Sequence, residues 1–442
     1  MKVQPLYRFL STAIALGAGV VARAQIVDSD PGSVASIPVN YTEAKTGSYT
    51  LPDPLKLADG EPVTDAKTWF EKRRPEIFKM VEEGEYGRVP PRPEAMTFDV
   101  FDKGTPAFDG KALRKQVTIY LTASRTENYV DLLLYLPANA PGPVPVLIEF
   151  GWIPNNLAVP DDPGVKVGRR WDAQKKTRVP ATPVANDRGI FRLRNIADVL
   201  ARGYAVATFC YTDVDPDALE AMAQGIRAAY LKPGQTDRAP DDWGSVAAWG
   251  WGASRVIDYL ETDPQIDAKR VALTGASRLG KTTLWAAARD ERIACAIASV
   301  SGEGGAALSR RDYGETIAHL VAPSRYPYQF AANYAKWAGR ADKMPWDAHM
   351  IIALVAPRPI LLQTGSTDKW SDPYGEFLAA KAATPVFALL GKKGIEKEPF
   401  PAVGKPLMNT LGYLMHDGPH GVLPADWPVF LDFLDAHLKP AK

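Results

Sequence analysis

The 442-residue sequence predicts an α/β domain in three layers, a mostly parallel sheet between helices that is entered through antiparallel strands. Three observations carry this. Residues 96–136 alternate apolar and polar side chains, as half-buried antiparallel strands do. Beyond residue 144 the apolar runs become short and nearly continuous, the pattern of strands covered on both faces. Helical patterns separate those runs, and such alternation builds a parallel sheet through right-handed crossovers.

Residues 1–24 come first. Lys2 and Arg8 precede an apolar stretch from Phe9 to Ala22, and Ala22-Arg23-Ala24 completes the layout of an export signal with its cleavage site. The stretch is too short and too rich in Gly and Ala to span a bilayer, and no later segment is long and apolar enough. No stable membrane insertion is expected, and the product is expected in the periplasm or secreted. Residues 25–66, rich in Pro, Gly, Asp and Thr, read as an extended leader packed on a single domain that occupies 67–442. Within that domain, 115–121 and 129–136 read as antiparallel strands and 144–150, 204–209, 271–274 and 360–363 as buried ones. Helical patterns cover 245–260 and 284–288, and 427–438 closes the chain. The insert 161–195, dense in Arg, Lys, Pro and Asp, reads as a surface loop near the active face. No repeat or linker divides the chain.

Charge is close to balanced, with 52 basic and 51 acidic residues. Removing residues 1–24 takes away Lys2, Arg8 and Arg23 and no acid, so the mature chain is slightly acidic and carries no footprint for a nucleic-acid partner. Cys210 and Cys295 lie in separate apolar runs and read as buried thiols. C-x-x-C and H-E-x-x-H spacings are absent, so no metal and no cofactor is expected, and a monomer is expected.

The string Gly275-Ala276-Ser277-Arg278-Leu279-Gly280-Lys281-Thr282 fits two chemistries. As a phosphate-binding P-loop it offers backbone amides, Lys281 and Thr282. As a nucleophile turn it sets Ser277 at the corner between the run 271–274 and the following helix. A P-loop wants a second strand ending in Asp for magnesium, yet the run 360–363 ends in Gln363, and an exported protein meets no nucleoside triphosphate. A serine hydrolase wants an acid and then a histidine, and Asp368 and His420 follow in that order. His420 would take the Ser277 proton and return it to the leaving alcohol, while the acid holds the imidazole in the right tautomer. His416 competes with His420 by sequence. His319, His349 and His437 read as structural or exposed.

With these residues assembled, the chain resembles the bacterial glucuronoyl esterases of carbohydrate esterase family 15. The resemblance runs from about Tyr86 to Leu438. It rests on Asp213-Val214-Asp215-Pro216-Asp217, the S-R-x-G-K string at Ser277, Gly304-Gly305-Ala306-Ala307-Leu308-Ser309-Arg310-Arg311, Tyr313-Gly314-Glu315-Thr316, Trp370-Ser371-Asp372-Pro373 and Gly418-Pro419-His420. It implies an α/β-hydrolase fold, Ser277 as nucleophile, His420 as base, and Arg278 as oxyanion donor where a plain salt bridge is the bland reading. It implies Lys281, Glu315 and Trp370 as ligands of a uronate sugar. The implied substrate is an ester of (4-O-methyl-)glucuronic acid, as in lignin–glucuronoxylan cross-links. The sequence departs from the family at Val300, where many members carry a catalytic Glu, which leaves Asp368 as the triad acid, with Glu303 as the alternative. The segment 326–330 also departs, near the sugar. Other expectations on the same fold are an acetyl xylan or other carbohydrate acyl esterase, or a non-catalytic binder of glucuronoxylan.

Overall fold

A computed structural model describes residues 32–183, 189–231, 235, 238–395 and 397–439. Residues 1–31 lie outside the described residues, and with them the export signal and the start of the leader. Nine strands form one sheet: β1 (Thr97–Ala107), β2 (Ala112–Tyr120), β3 (Tyr129–Pro137), β4 (Val144–Gly151), β5 (Ala205–Cys210), β6 (Ile266–Ala276), β7 (Ile293–Ser299), β8 (Ile360–Gly365) and β9 (Leu411–His416). Their spatial order is β9-β8-β7-β6-β4-β5-β3-β2-β1. The six from β9 to β5 run parallel, and β3, β2 and β1 are added antiparallel. This is the mostly parallel sheet with an antiparallel opening that the textures of the sequence predict, in an α/β-hydrolase fold.

Helices cover both faces, because strands buried on both sides need two cores. On one face lie α2 (Ser245–Leu260), α3 (Arg278–Arg289) and α4 (Pro373–Leu389), whose Trp249, Trp285 and Phe377 pack with Val146, Leu273 and Leu362. On the other lie α1 (Ile196–Ala201) and α5 (Asp426–Leu438), whose Val199, Phe430 and Leu434 pack with Leu147, Ala272 and Leu361. Cys210 and Cys295 are buried free thiols.

Several elements differ from the expectation. Helix α3 starts at Arg278 directly after the corner at Ser277, and its first turn, Arg-Leu-Gly-Lys, carries no apolar pattern of its own. Helix α4 is buried on most of its circumference and holds Pro385, so no single face stands out in the sequence. The insert 161–195 contains a two-stranded hairpin, Arg169–Asp172 with Thr177–Pro180. The leader, from residue 32, lies against the domain: Glu43 pairs with Arg311, and Pro52 O accepts from His349 Nε2 at 2.8 Å. No helix among the described residues is long and apolar enough to cross a membrane.

Candidate active site

The sequence-predicted site residues Ser277, Asp368 and His420 follow the C-terminal ends of the parallel strands β6, β8 and β9. Strand β6 leads into Ser277, whose φ of 58° and ψ of −127° form a conformation that an L residue holds only under constraint. Ser277 N donates to Ser299 O at 2.9 Å, and Ser277 O accepts from Lys281 N at 3.0 Å, so the residue is tied to β7 and to the first turn of α3. Glycine permits the crowding. A Cβ at Gly275 would lie 2.6 Å from Leu279 O, and one at Gly280 would lie 2.4 Å from Ser299 O. The glycines of the string therefore press helix against strand. Thr282 Oγ1 donates to Arg278 O at 2.8 Å, inside its own helix, and Lys281 Nζ donates to Ser301 O and Glu303 O at 2.6 Å each. Thr282 Oγ1 is spent inside its own helix, away from any magnesium position, and Lys281 keeps a single ammonium proton for a ligand in the cavity, an arrangement that does not fit a P-loop.

Asp368 follows β8 and is fully buried. Its Oδ2 lies 2.6 Å from His420 Nδ1, its Oδ1 accepts from Ser371 N at 3.3 Å, and Ser371 Oγ stands 3.1 Å from the same His420 nitrogen. His420 Nε2 is buried and has no hydrogen-bond partner among the described residues. Glu303 is engaged elsewhere: its Oε1 accepts from Ser309 Oγ at 2.6 Å and from Tyr334 OH at 2.8 Å, and burial pushes its pKa up to about 8. His416 supports the loop ahead of His420, with Nδ1 2.8 Å from Asp426 Oδ2 and Nε2 2.9 Å from Pro419 O. Burial alone would lower the His416 pKa, but the Asp426 carboxylate outweighs it and the net direction is up.

A cavity of about 330 Å³ brings together Ser277, Arg278, Lys281, Glu315, Trp370 and His420, with Asp368 behind the histidine. Glu315 is buried rather than part of a surface ion pair. Its Oε2 lies 3.6 Å from Lys281 Nζ and its Oε1 accepts from Arg325 Nη2 at 2.8 Å. Burial lowers the pKa of Lys281. Arg325 also sits 5.0 Å from the centre of the Trp370 ring, which gives this wall both an aromatic face and charged donors. Val300, held at φ 41° by a 2.6 Å hydrogen bond from its N to Gln363 O, makes an apolar part of the lining.

Arg278 does form the salt bridge of its bland reading, with Asp217 through Nη1. Its Nε is different: it is buried and lacks a partner among the described residues. A buried, unpaired donor beside a serine at a strained turn is what an oxyanion site looks like before substrate arrives. Sequence reasoning missed Arg325, Gln329, Ser371 and the leader residues Val34 and Ala35, all of which line the cavity. Only the 326–330 segment gave any signal of this wall.

A family model described as "Glucuronyl esterase, fungi" matches residues 188–391. A glucuronoyl esterase of Solibacter usitatus has a solved structure that superposes with a TM-score of 0.84 at 44% identity, over 89% of this chain and 100% of that one. The chain belongs to the glucuronoyl esterase family. This family member is therefore an ester hydrolase. It is also 42% identical to the carbohydrate esterase MZ0003, from an unknown prokaryotic organism, over 90% of this chain and 92% of that relative. Identity to the 4-O-methyl-glucuronoyl methylesterase of Cerrena unicolor is 29%, over 81% of this chain and 65% of the fungal one.

Proposed function

We propose that this esterase hydrolyses esters of glucuronic and 4-O-methylglucuronic acid, including those that join glucuronoxylan to lignin alcohols, through a Ser277–His420–Asp368 triad and an acyl-enzyme. The observation that carries the reading is the buried 2.6 Å contact between Asp368 and His420, beside a strained Ser277 in one cavity. Ser277 Oγ attacks the ester carbon while His420 Nε2 takes its proton, and Asp368 stabilises the imidazolium that forms. Charge builds on the carbonyl oxygen, where Arg278 Nε–H is free to donate. Collapse expels the alcohol, which leaves with the proton from His420. Water then repeats the sequence on the acyl-enzyme and releases the uronic acid.

Lys281, Glu315 and Trp370 suit a uronate ring. Lys281 donates to hydroxyls, Glu315 accepts from them, and Trp370 offers a flat apolar face. No step requires a metal or cofactor. Residues 1–24 serve export on this reading, consistent with a polysaccharide substrate outside the cell. Ser277→Ala and His420→Ala are each expected to abolish hydrolysis of methyl or benzyl glucuronate. Wild-type rates in either would refute the triad. Turnover of acetylated xylan without turnover of glucuronate esters would refute the substrate, and binding of glucuronoxylan fragments without turnover would refute the enzyme reading for this chain.

A further inference from the structure

The motif Asp213-Val214-Asp215-Pro216-Asp217 follows β5, and its three acids have separate partners. Asp213 lies 3.6 Å from Arg178 of the insert. Asp215 is buried against Arg227 and Ser245, at 2.8 Å from each. Asp217 faces the active site. Its Oδ2 accepts from Arg278 Nη1 and, at 2.7 Å, from Tyr211 OH, while its Oδ1 accepts from Tyr328 OH and Gln329 Nε2 at 2.9 Å each. Four donors fill the roughly four lone-pair positions of a carboxylate. The group is thus fixed from every side.

That matters for Arg278, whose long side chain has many rotamers to lose. Its guanidinium sits 4.7 Å from the Tyr326 ring centre and 5.9 Å from that of Trp152, so aromatic rings limit its tilt. Rings restrain a cation's distance and leave rotation in their plane open. Among the described residues it is the ion pair with Asp217 that stops that rotation, and it engages Nη1 and leaves Nε unpaired beside Ser277.

We infer that Asp217 is a positioning residue that fixes Arg278 so that its Nε–H is aimed at the oxyanion before substrate binds. The inference rests on the proposed oxyanion role of Arg278. Donors in such a site act through preorganisation, and a misplacement of about 1 Å can cost on the order of 10²-fold in rate. Gln329 joins the two halves of the site, since it lines the cavity and also donates to Asp217.

A double-mutant cycle on benzyl glucuronate tests this. Arg278→Met is expected to lower kcat by about 10²–10³-fold. Asp217→Asn is expected to lower kcat by about 10–100-fold with KM within about threefold, because a contact made only in the transition state leaves ground-state binding alone. The double variant is expected to be no slower than Arg278→Met. If the two losses multiply, or if Asp217→Asn keeps wild-type kcat, the inference is overturned. If Arg278→Met alone keeps wild-type kcat, the oxyanion reading itself has failed. Should Asp217→Asn fail to fold, Asp217→Glu carries the test. It keeps the charge but displaces Arg278 by about one methylene, so a folded Asp217→Glu with wild-type kcat also overturns the inference.

Discussion

Replacing Asp368 with Asn changes one atom of the buried contact to His420 and leaves the volume in place. In the native protein Asp368 Oδ1 accepts from Ser371 N and Oδ2 lies 2.6 Å from His420 Nδ1. An asparagine must keep an oxygen toward Ser371 N to avoid facing a donor with a donor, which turns its NH2 toward the imidazole. His420 Nδ1 then becomes the acceptor and Nε2 carries the proton, the tautomer that cannot take a proton from Ser277. The loss of a triad acid by this route is about 10⁴-fold in kcat in a related constellation, equivalent to about 5.5 kcal/mol of barrier. Ser371 Oγ, 3.1 Å from Nδ1, offers a partial substitute partner, so about 10³–10⁴-fold is expected here. Steady-state hydrolysis of benzyl glucuronate near pH 7 reads the effect, with KM within about threefold and near-UV circular dichroism unchanged. A kcat within tenfold of wild type would refute the assignment of the acid. So would a larger loss in Glu303→Gln than in Asp368→Asn.

Lys281→Met is expected to raise KM for methyl glucuronate by about tenfold or more with a smaller change in kcat, because the role proposed for its ammonium is sugar recognition and not proton transfer; initial-rate kinetics would show it. The pH dependence of stability has a sign that the buried acids fix. Burial raises Glu85 to about 8, so between its ordinary value of 4.5 and about 8 the folded chain keeps a proton that the unfolded chain has released. Stability falls as pH rises through that window. Glu85→Gln can still accept from Trp346 Nε1 and does not titrate, so its Tm is expected to drop less than the wild-type Tm between pH 5 and pH 8; equal drops in thermal melts would contradict this.

The sequence makes some parts of this molecule legible for physical reasons and hides others for equally physical ones. Strands β4, β5, β6 and β8 announce themselves because both faces are buried, and their C-terminal ends then locate Ser277 and Asp368. His420 follows from chain order, but its preference over His416 needs the fold. Strand β9 is no shorter than β5 or β8, but Gly412 and the terminal His416 break its apolar run. Arg325 and Gln329 enter the cavity across chain separations that no local periodicity records. Asp217 is conspicuous in its motif, yet its link to Arg278 spans 61 positions. The insert hairpin is masked by charged residues that mimic a loop.

The leader shows where a boundary can mislead. Val34 and Ala35 form part of the cavity wall, although they precede the sheet by some sixty positions in the chain. A recombinant version trimmed to begin at residue 67 would lose the short Ser33–Val34 and Ile37–Pro38 pair yet retain all nine strands of the main sheet and every side chain of the proposed triad, while opening one side of the cavity to solvent. The same geometry argues for placing affinity tags and fusion partners beyond α5, since His420 is the last of the described residues to line the cavity.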